Sequence, residues 1–233
     1  MRVRALLLLI VPQLAPGAAG STPAPADGEW RALFDGRTLD GWRGYGSAAP
    51  GPGWIVEDGA IVLDVGPDTD TVTAGDLITV ERFGNFELEL EWKIEPGGNS
   101  GLFFGVREIP RHDAAWASGV EMQILDDERH PDGNSPLTSA GACYALYAPV
   151  ADVVRPAGEY NEVRLVVDNR RVEHWLNGVR IVEYVIGSDD WNARVADSKF
   201  ADRWHFARYR HGHIGLQDHS DRVWFRNIRI REL

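Results

Sequence analysis

The sequence predicts an all-β fold, an antiparallel sandwich of the jelly-roll kind with one short helix. Three observations predict it: apolar and polar residues alternate with period two over much of the chain, turn-forming pairs recur at short intervals, and only one stretch has helical character. The chain has 233 residues and is 44% hydrophobic, enough for one sizeable core.

Residues 1–20 read as an export signal. Arg2 and Arg4 form a basic start, Ala5 to Val11 an apolar run too short to span a bilayer, and Gly17-Ala18-Ala19 a cleavage site of small residues. No Cys follows the apolar run, so a lipid anchor is not expected. Residues 21–28 follow as a flexible leader rich in Pro and Ala, and residues 29–233 as a single domain without linker or internal repeat. This predicts a bacterial protein of the periplasm, cell surface or medium, with no membrane span once the signal is removed. Cys143 is the only cysteine, so no intramolecular disulfide forms, and its surroundings (Gly141-Ala142-Cys143-Tyr144) fit a small buried packing residue.

Within the domain, Trp54 to Leu63 forms two apolar runs around the Asp58-Gly59 turn, a hairpin signal. Phe86 to Ile94 alternates cleanly: Phe86, Leu88, Leu90, Trp92 and Ile94 face a core, while Glu87, Glu89, Glu91 and Lys93 face water. Gly101 to Arg107 follows a Pro96-Gly97-Gly98 turn, and Val120, Met122 and Ile124 mark the next strand. Glu162 to Val167, Arg171 to Leu176 and Val179 to Val185 read as a meander turning at Asp168-Asn169 and Asn177-Gly178. The helix is expected over Asp189 to Phe200, with Ser188 or Asp189 as its cap. The last two strands run from His213 to Leu216 and up to Ile230.

Composition excludes some function classes. The formal net charge is −11, and cleavage after Ala19 would remove two Arg and take it to −13. Such a chain repels nucleic acid and anionic membrane surfaces. Nine Trp, eight Phe and six Tyr supply core area and also flat faces on which sugar rings stack, so carbohydrate remains among the partners. No nucleophile elbow, phosphate loop or dinucleotide fingerprint is present, and no His pair has a zinc-ligand spacing such as His-Glu-x-x-His.

What remains is carboxylate and imidazole chemistry, or plain binding. On the strand Ser118 to Asp127, with Val120, Met122 and Ile124 in the core, Glu121 and Gln123 share the opposite face, roughly 6.6 Å apart. A bulge or strand end near Leu125 would return Asp126 to that polar side, because burying its carboxylate among apolar residues is costly. Two carboxylates flanking an amide suit hydroxyl binding and general acid–base work. The small residues of Gly97-Gly98-Asn99-Ser100-Gly101 would let a ligand approach the backbone, or simply form a hairpin turn. His174 shares a face with Val172 and Leu176, where a hydrogen-bonded core histidine is the default, and Trp175 on the other face is a stacking candidate. Gln217, Asp218 and His219 end a strand, either as turn chemistry or as the edge of a site.

Several segments, in order, resemble the 3-keto-disaccharide hydrolase family. They are Leu33 to Trp42, Asn99 to Phe104, Glu121 to Asp126, Leu176-Asn177-Gly178, Gly215 to His219 and Phe225 to Ile228. Together they span about Trp30 to Leu233; no single one is specific, but the ordered set is. Ser220 stands where the family usually has Gly. The resemblance implies a concanavalin-like jelly roll and action on glucosides already oxidised at C3 by a partner sugar 3-oxidoreductase. Bond cleavage would then be β-elimination followed by hydration, a net hydrolysis.

That route needs a base at C2, donors to the enolate oxygen and an acid for the leaving oxygen. On this reading Glu121, Asp126, Asp218 and His219 are the catalytic candidates, with His219 and Glu121 as the acid–base pair and Asp218 orienting His219 or a neighbour. Asn99, Ser100, Gln123, Gln217, His174 and Trp175 are the candidates for holding substrate. Two other readings stay open: a conventional jelly-roll glycosidase, and a non-catalytic carbohydrate-binding or cell-surface module. Some jelly-roll glucanases carry Glu-x-Asp-x-x-Glu where this chain has Glu121-x-Gln123-x-x-Asp126, a change that weakens a two-carboxylate mechanism. No cofactor is required, although the acidic stretch Asp64 to Asp76 and the corner Asp126-Asp127-Glu128 offer oxygen ligands of the kind calcium takes.

Overall fold

The computed structural model describes residues 28–64, 66, 74–110, 112 and 114–233; the expected export signal and nearly all of the leader lie outside them, as does part of the acidic stretch Asp64 to Asp76. Among the described residues, thirteen strands follow one another along the chain. The first seven are β1 (Arg31–Ala32), β2 (Trp42–Gly44), β3 (Trp54–Glu57), β4 (Ala60–Leu63), β5 (Leu77–Thr79), β6 (Phe86–Ile94) and β7 (Asn99–Val106). The others are β8 (Val120–Leu125), β9 (Asn161–Asp168), β10 (Arg171–Leu176), β11 (Val179–Val185), β12 (His213–Leu216) and β13 (Val223–Glu232), with one α-helix, α1 (Asp189–Ala196), before β12. They form two antiparallel sheets. The larger has the order β11-β10-β9-β6-β13-β4-β3, with β1 also paired to β13; the smaller has the order β2-β5-β12-β7-β8. No helix among the described residues is long and apolar enough to cross a membrane.

The core lies between the sheets, because each contributes one apolar face. Phe86, Leu88, Leu90, Trp92 and Ile94 of β6 meet Leu102 and Phe104 of β7, Val120, Met122 and Ile124 of β8, and Ile214 and Leu216 of β12. Phe225 of β13 is fully buried there, and truncation to Ala would cost about 3–5 kcal/mol. Cys143 is also buried in this core. The outer face of the larger sheet is less wet than its alternation predicts. Glu87 is buried under ion pairs with Arg164 and Arg231, and Glu91 pairs with Arg226 at 2.7 Å.

Turn chemistry explains most boundaries. Asp58 and Gly59 both have positive φ, as the tight β3–β4 hairpin requires, and so do Asn177 and Gly178 between β10 and β11. The β9–β10 turn is centred on Asn169-Arg170, one residue beyond the expected Asp168-Asn169, and both residues have positive φ. The helix stops at Ala196, short of the expected Phe200. Ser198 causes this: its hydroxyl donates to the Val195 carbonyl and accepts from the Phe200 N–H, offering the backbone a turn in place of helix. At the other end the Ser188 hydroxyl caps the helix by accepting from the Trp191 N–H at 3.1 Å.

Candidate active site

The face of the smaller sheet turned away from the core carries a cavity of about 270 Å³, close to the lower bound for small-ligand clefts and suited to one sugar ring. Its floor is β8, β7 and the end of β12. Alternation puts Glu121 and Gln123 on this face because Val120, Met122 and Ile124 fill the core, as the sequence implies. Gly101 on β7 makes room for Glu121: a Cβ there would lie 2.4 Å from the Glu121 Oε1. Asn99 and Gln217 flank this floor, and His219 stands at the mouth with about half its side chain exposed. Lys199, Phe200 and Arg203 arrive from the segment after α1, Trp116 from the 3₁₀ turn Ala115–Ala117, and Asp132 and Tyr144 from the loops after β8.

Glu121 is buried, and burial pushes its pKa up to about 8. The positive charges of Lys199 and His219 act against that rise, and Asp76 reinforces it. Its carboxyl is therefore largely protonated at neutral pH. His219 has the opposite surroundings for its type. Its Nδ1 lies 3.5 Å from Asp221 Oδ2, and this interaction raises its pKa above the ordinary value. Asp221 is itself positioned by the Asn99 N–H at 2.9 Å. Below lies buried Asp76, whose two oxygens accept from the Ala115 and Asp218 N–H groups; burial raises its pKa to about 6. It pins the strand end that carries Gln217 and His219.

Two buried oxygens in the cavity have no partner, Asn99 Oδ1 and Gln217 Oε1. A buried acceptor left unpaired costs about 1–3 kcal/mol, so both are poised for hydroxyl donors of a ligand. Gln123, by contrast, is already used: its amide donates to the Thr138 carbonyl at 3.2 Å and accepts from the Ile124 N–H at 3.2 Å.

Asn99, Glu121, Gln123, Gln217 and His219 are thus brought together, and the other five expected residues have different work. Ser100 faces the core and ties β7 to the Gln217 carbonyl at 2.9 Å. Asp126 does not join Glu121, because its carboxylate turns into the next loop, where it accepts from the Gly97 and Glu128 N–H groups and from Arg129. Burial pushes its pKa up, but these bonds outweigh burial and leave it lowered. Asp218 does not orient His219; it accepts from the Gly75 and Ser220 N–H groups. His174 is buried in the core between the Gly141 carbonyl and the Tyr184 hydroxyl, each at 3.0 Å, and burial lowers its pKa to about 4. Trp175 lies on the outer face of the larger sheet, its indole donating to Glu173 at 2.9 Å. A larger hollow of about 810 Å³ opens beside it, but the charges of Glu89, Glu91, Arg164 and Arg229 in its wall are already paired with one another or with neighbours.

Trp116, Asp132, Tyr144, Lys199, Arg203 and Asp221 are the site residues that sequence reasoning misses. One signal pointed to Lys199: apart from Lys93 it is the only lysine in a chain whose other side-chain cations are Arg or His. For a cation, the Asp126-Asp127-Glu128 corner is poorly placed, since the carboxylates of Asp126 and Asp127 already accept backbone N–H groups. No group of three or more His, Cys, Asp or Glu able to hold a metal ion occurs among the described residues.

Fold and site together are those of a glycoside hydrolase, in the broad sense of an enzyme that cleaves glycosides. The sandwich matches a solved protein with a galectin-like fold from Bacillus subtilis at TM-score 0.50 and 14% identity over 88% of this chain and 89% of that one, which speaks to fold alone. More specifically, the chain belongs to the family of the 3-keto-alpha-glucoside-1,2-lyase-like domain, whose sequence model matches residues 29–231. It is 36% identical to the 3-keto-disaccharide hydrolase of Bacteroides thetaiotaomicron, over 91% of this chain and 80% of that protein. A provisionally named glycosyl hydrolase from Parabacteroides distasonis shares 33% identity and a TM-score of 0.80, over 88% of this chain and 94% of its own.

Proposed function

We propose that the protein cleaves 3-keto-glucosides, including 3-keto-disaccharides, by β-elimination followed by addition of water. The observation that carries this reading is the pairing, in one sugar-sized cavity, of a carboxyl held protonated near neutrality with an imidazole oriented by its own carboxylate. His219, in its neutral form, removes the proton from C2, which the neighbouring ketone acidifies. The electron pair forms the C2–C3 enolate. It returns to expel the C1 substituent, and Glu121 gives its proton to the leaving oxygen. Water then adds at C1 of the enone and a proton returns to C2, so the net change is hydrolysis. The unpaired oxygens of Asn99 and Gln217 receive sugar hydroxyls. The substrate must come from an oxidoreductase that converts the C3 alcohol to a ketone.

A conventional glycosidase would use two carboxylates held at a set separation across the scissile bond. Of the Glu-x-Gln-x-x-Asp line only Glu121 offers the cavity a free carboxyl, since Asp126 is committed to the loop; Asp132 is the other acid in the wall, and it already accepts the Tyr144 hydroxyl at 3.1 Å. The test is one assay with a 3-keto-glucoside bearing a chromogenic leaving group, beside its unoxidised parent, with and without chelator. Release from the oxidised compound alone, abolished in His219→Ala and Glu121→Ala proteins that still fold, is the expected result. Turnover of the unoxidised parent, or parental rates in both variants, would sink the reading.

A further inference from the structure

The cavity's own inventory assigns one more role. Its unpaired acceptors, Asn99 Oδ1 and Gln217 Oε1, suit the hydroxyls of a sugar but give nothing to a carbonyl oxygen or to the negative charge that grows on it. That charge needs a donor, best a cation. Several donors in the wall are already engaged. The Tyr144 hydroxyl is given to Asp132 and the Gln123 amide to the Thr138 carbonyl, while the amide N–H groups of Asn99 and Gln217 are neutral donors. Lys199 is a cation in the same wall. No carboxylate of the described residues lies within ion-pair distance of it. As a whole residue it is exposed, yet its ammonium turns back over the Tyr144 ring at 3.9 Å and into the cavity wall.

The backbone under Lys199 is fixed on both sides. Ser198 closes the turn before it, and the ring of Phe200 after it is buried and stacked on Phe206 with centroids 4.0 Å apart. It lines the same cavity as Glu121, the group that serves the leaving oxygen, and its charge is the largest of the charge interactions acting on that carboxyl. Partial burial lowers its own pKa, while Glu121 counters that shift.

We infer that Lys199 is a catalytic residue whose ammonium binds the C3 ketone oxygen of the substrate and stabilises the enolate that forms when the C2 proton leaves. The inference rests on the 3-keto-glucoside reading and adds to it the group that makes the ketone worth recognising. No covalent bond to the enzyme forms: the proton passes to His219, the electron pair to the C2–C3–O system, and the ammonium keeps all three of its protons.

The experiment separates enolate formation from bond cleavage. The probe is 1,5-anhydro-3-keto-glucitol, which has an acidic C2–H but no leaving group at C1. Its C2 proton exchange in deuterated water is followed by NMR with the full-length protein and with Lys199→Met and Lys199→Arg. Removing one donor to a developing oxyanion costs about 10²–10³ in rate, so Lys199→Met should slow exchange by that factor, and cleavage of a chromogenic 3-keto-glucoside alongside it. Lys199→Arg should stay within roughly tenfold of the parent, because the charge is kept. Both variants should keep the parental thermal midpoint, which a merely structural lysine would not.

If the parent exchanges and cleaves while Lys199→Met stays within threefold of it, the inference falls and the 3-keto-glucoside reading stands. If the parent itself does neither, both fall. A borohydride-trapped adduct on Lys199 would also overturn the inference, since the lysine would then act as a nucleophile through an iminium rather than as a fixed charge.

Discussion

Replacing Glu121 by Gln tests the electrostatics of the site without any substrate. In the folded protein the carboxyl holds its proton up to about pH 8, whereas the unfolded chain releases it near the ordinary 4.5. Unfolding therefore releases a proton between those values, and stability falls as pH rises through that window. The contribution is fully present below the unfolded pKa, declines from about pH 4.5 to 8, and is flat above. At 1.36 kcal/mol per pKa unit, the loss between pH 5 and 9 is about 4 kcal/mol, with more than half of it by pH 7. The replacement amide has no proton to release in this range and keeps the shape of the side chain. The stability of Glu121→Gln relative to the parent should thus grow steadily from pH 5 to 8 and then level off. Buried Asp76 also loses a proton late, but it is common to both proteins and largely cancels in the difference. Urea unfolding of both proteins at each pH, followed by fluorescence, measures it. A difference that does not change between pH 5 and 9 would refute the claim that burial outweighs the nearby positive charges at Glu121.

The remaining predictions concern rate and backbone. The pH profile of kcat/KM should be a bell, with an acid limb above 6.5 set by His219 and a basic limb near 8 set by Glu121; Asp221→Asn removes the interaction that raises the His219 pKa and should move only the acid limb, downward. Gly101→Ala places a methyl 2.4 Å from Glu121 Oε1, and a displaced acid should cost on the order of 10² in kcat, with the secondary-structure spectrum unchanged. Ser220 has φ +66°, the left-handed region that costs an L-residue about 1–2 kcal/mol; part of this returns as chain entropy, so Ser220→Gly should raise stability by about 1 kcal/mol at most, read from the thermal midpoint. A lower midpoint would mean that the Ser220 side chain contributes more than its backbone strain costs.

Period-two patterning made the strands legible, and with them the half of the site that lies on strands. Once Val120, Met122 and Ile124 are assigned to the core, Glu121 and Gln123 have only one face left. Short strands such as Trp42–Gly44 and Leu77–Thr79 escaped, because three residues do not establish a period. The rest of the site comes from loops, whose side-chain directions depend on turns that no pattern encodes. Asp126 and Asp218 carry the residue type that catalysis needs, but each sits where a strand ends and backbone N–H groups need acceptors, and capping wins. Asp221, three residues beyond Asp218, became the partner of His219 because the chain turns at Ser220. Trp175 faces outward as alternation implies, but on the larger sheet and away from the cavity: alternation tells inside from outside but not which sheet a strand joins.

From Phe200 in the cavity wall the rings of Phe206, Trp191, Tyr184 and Tyr147 stack in succession, with centroid separations between 4.0 and 6.0 Å, and the stretch bearing Lys199 and Arg203 rests on this column. The cations thus reach the cavity from a segment anchored on stacked aromatics, and the acid from β8, and both rest on the same core. A change of cation on that segment would therefore also reset the proton affinity of Glu121, whose largest charge interaction is with Lys199.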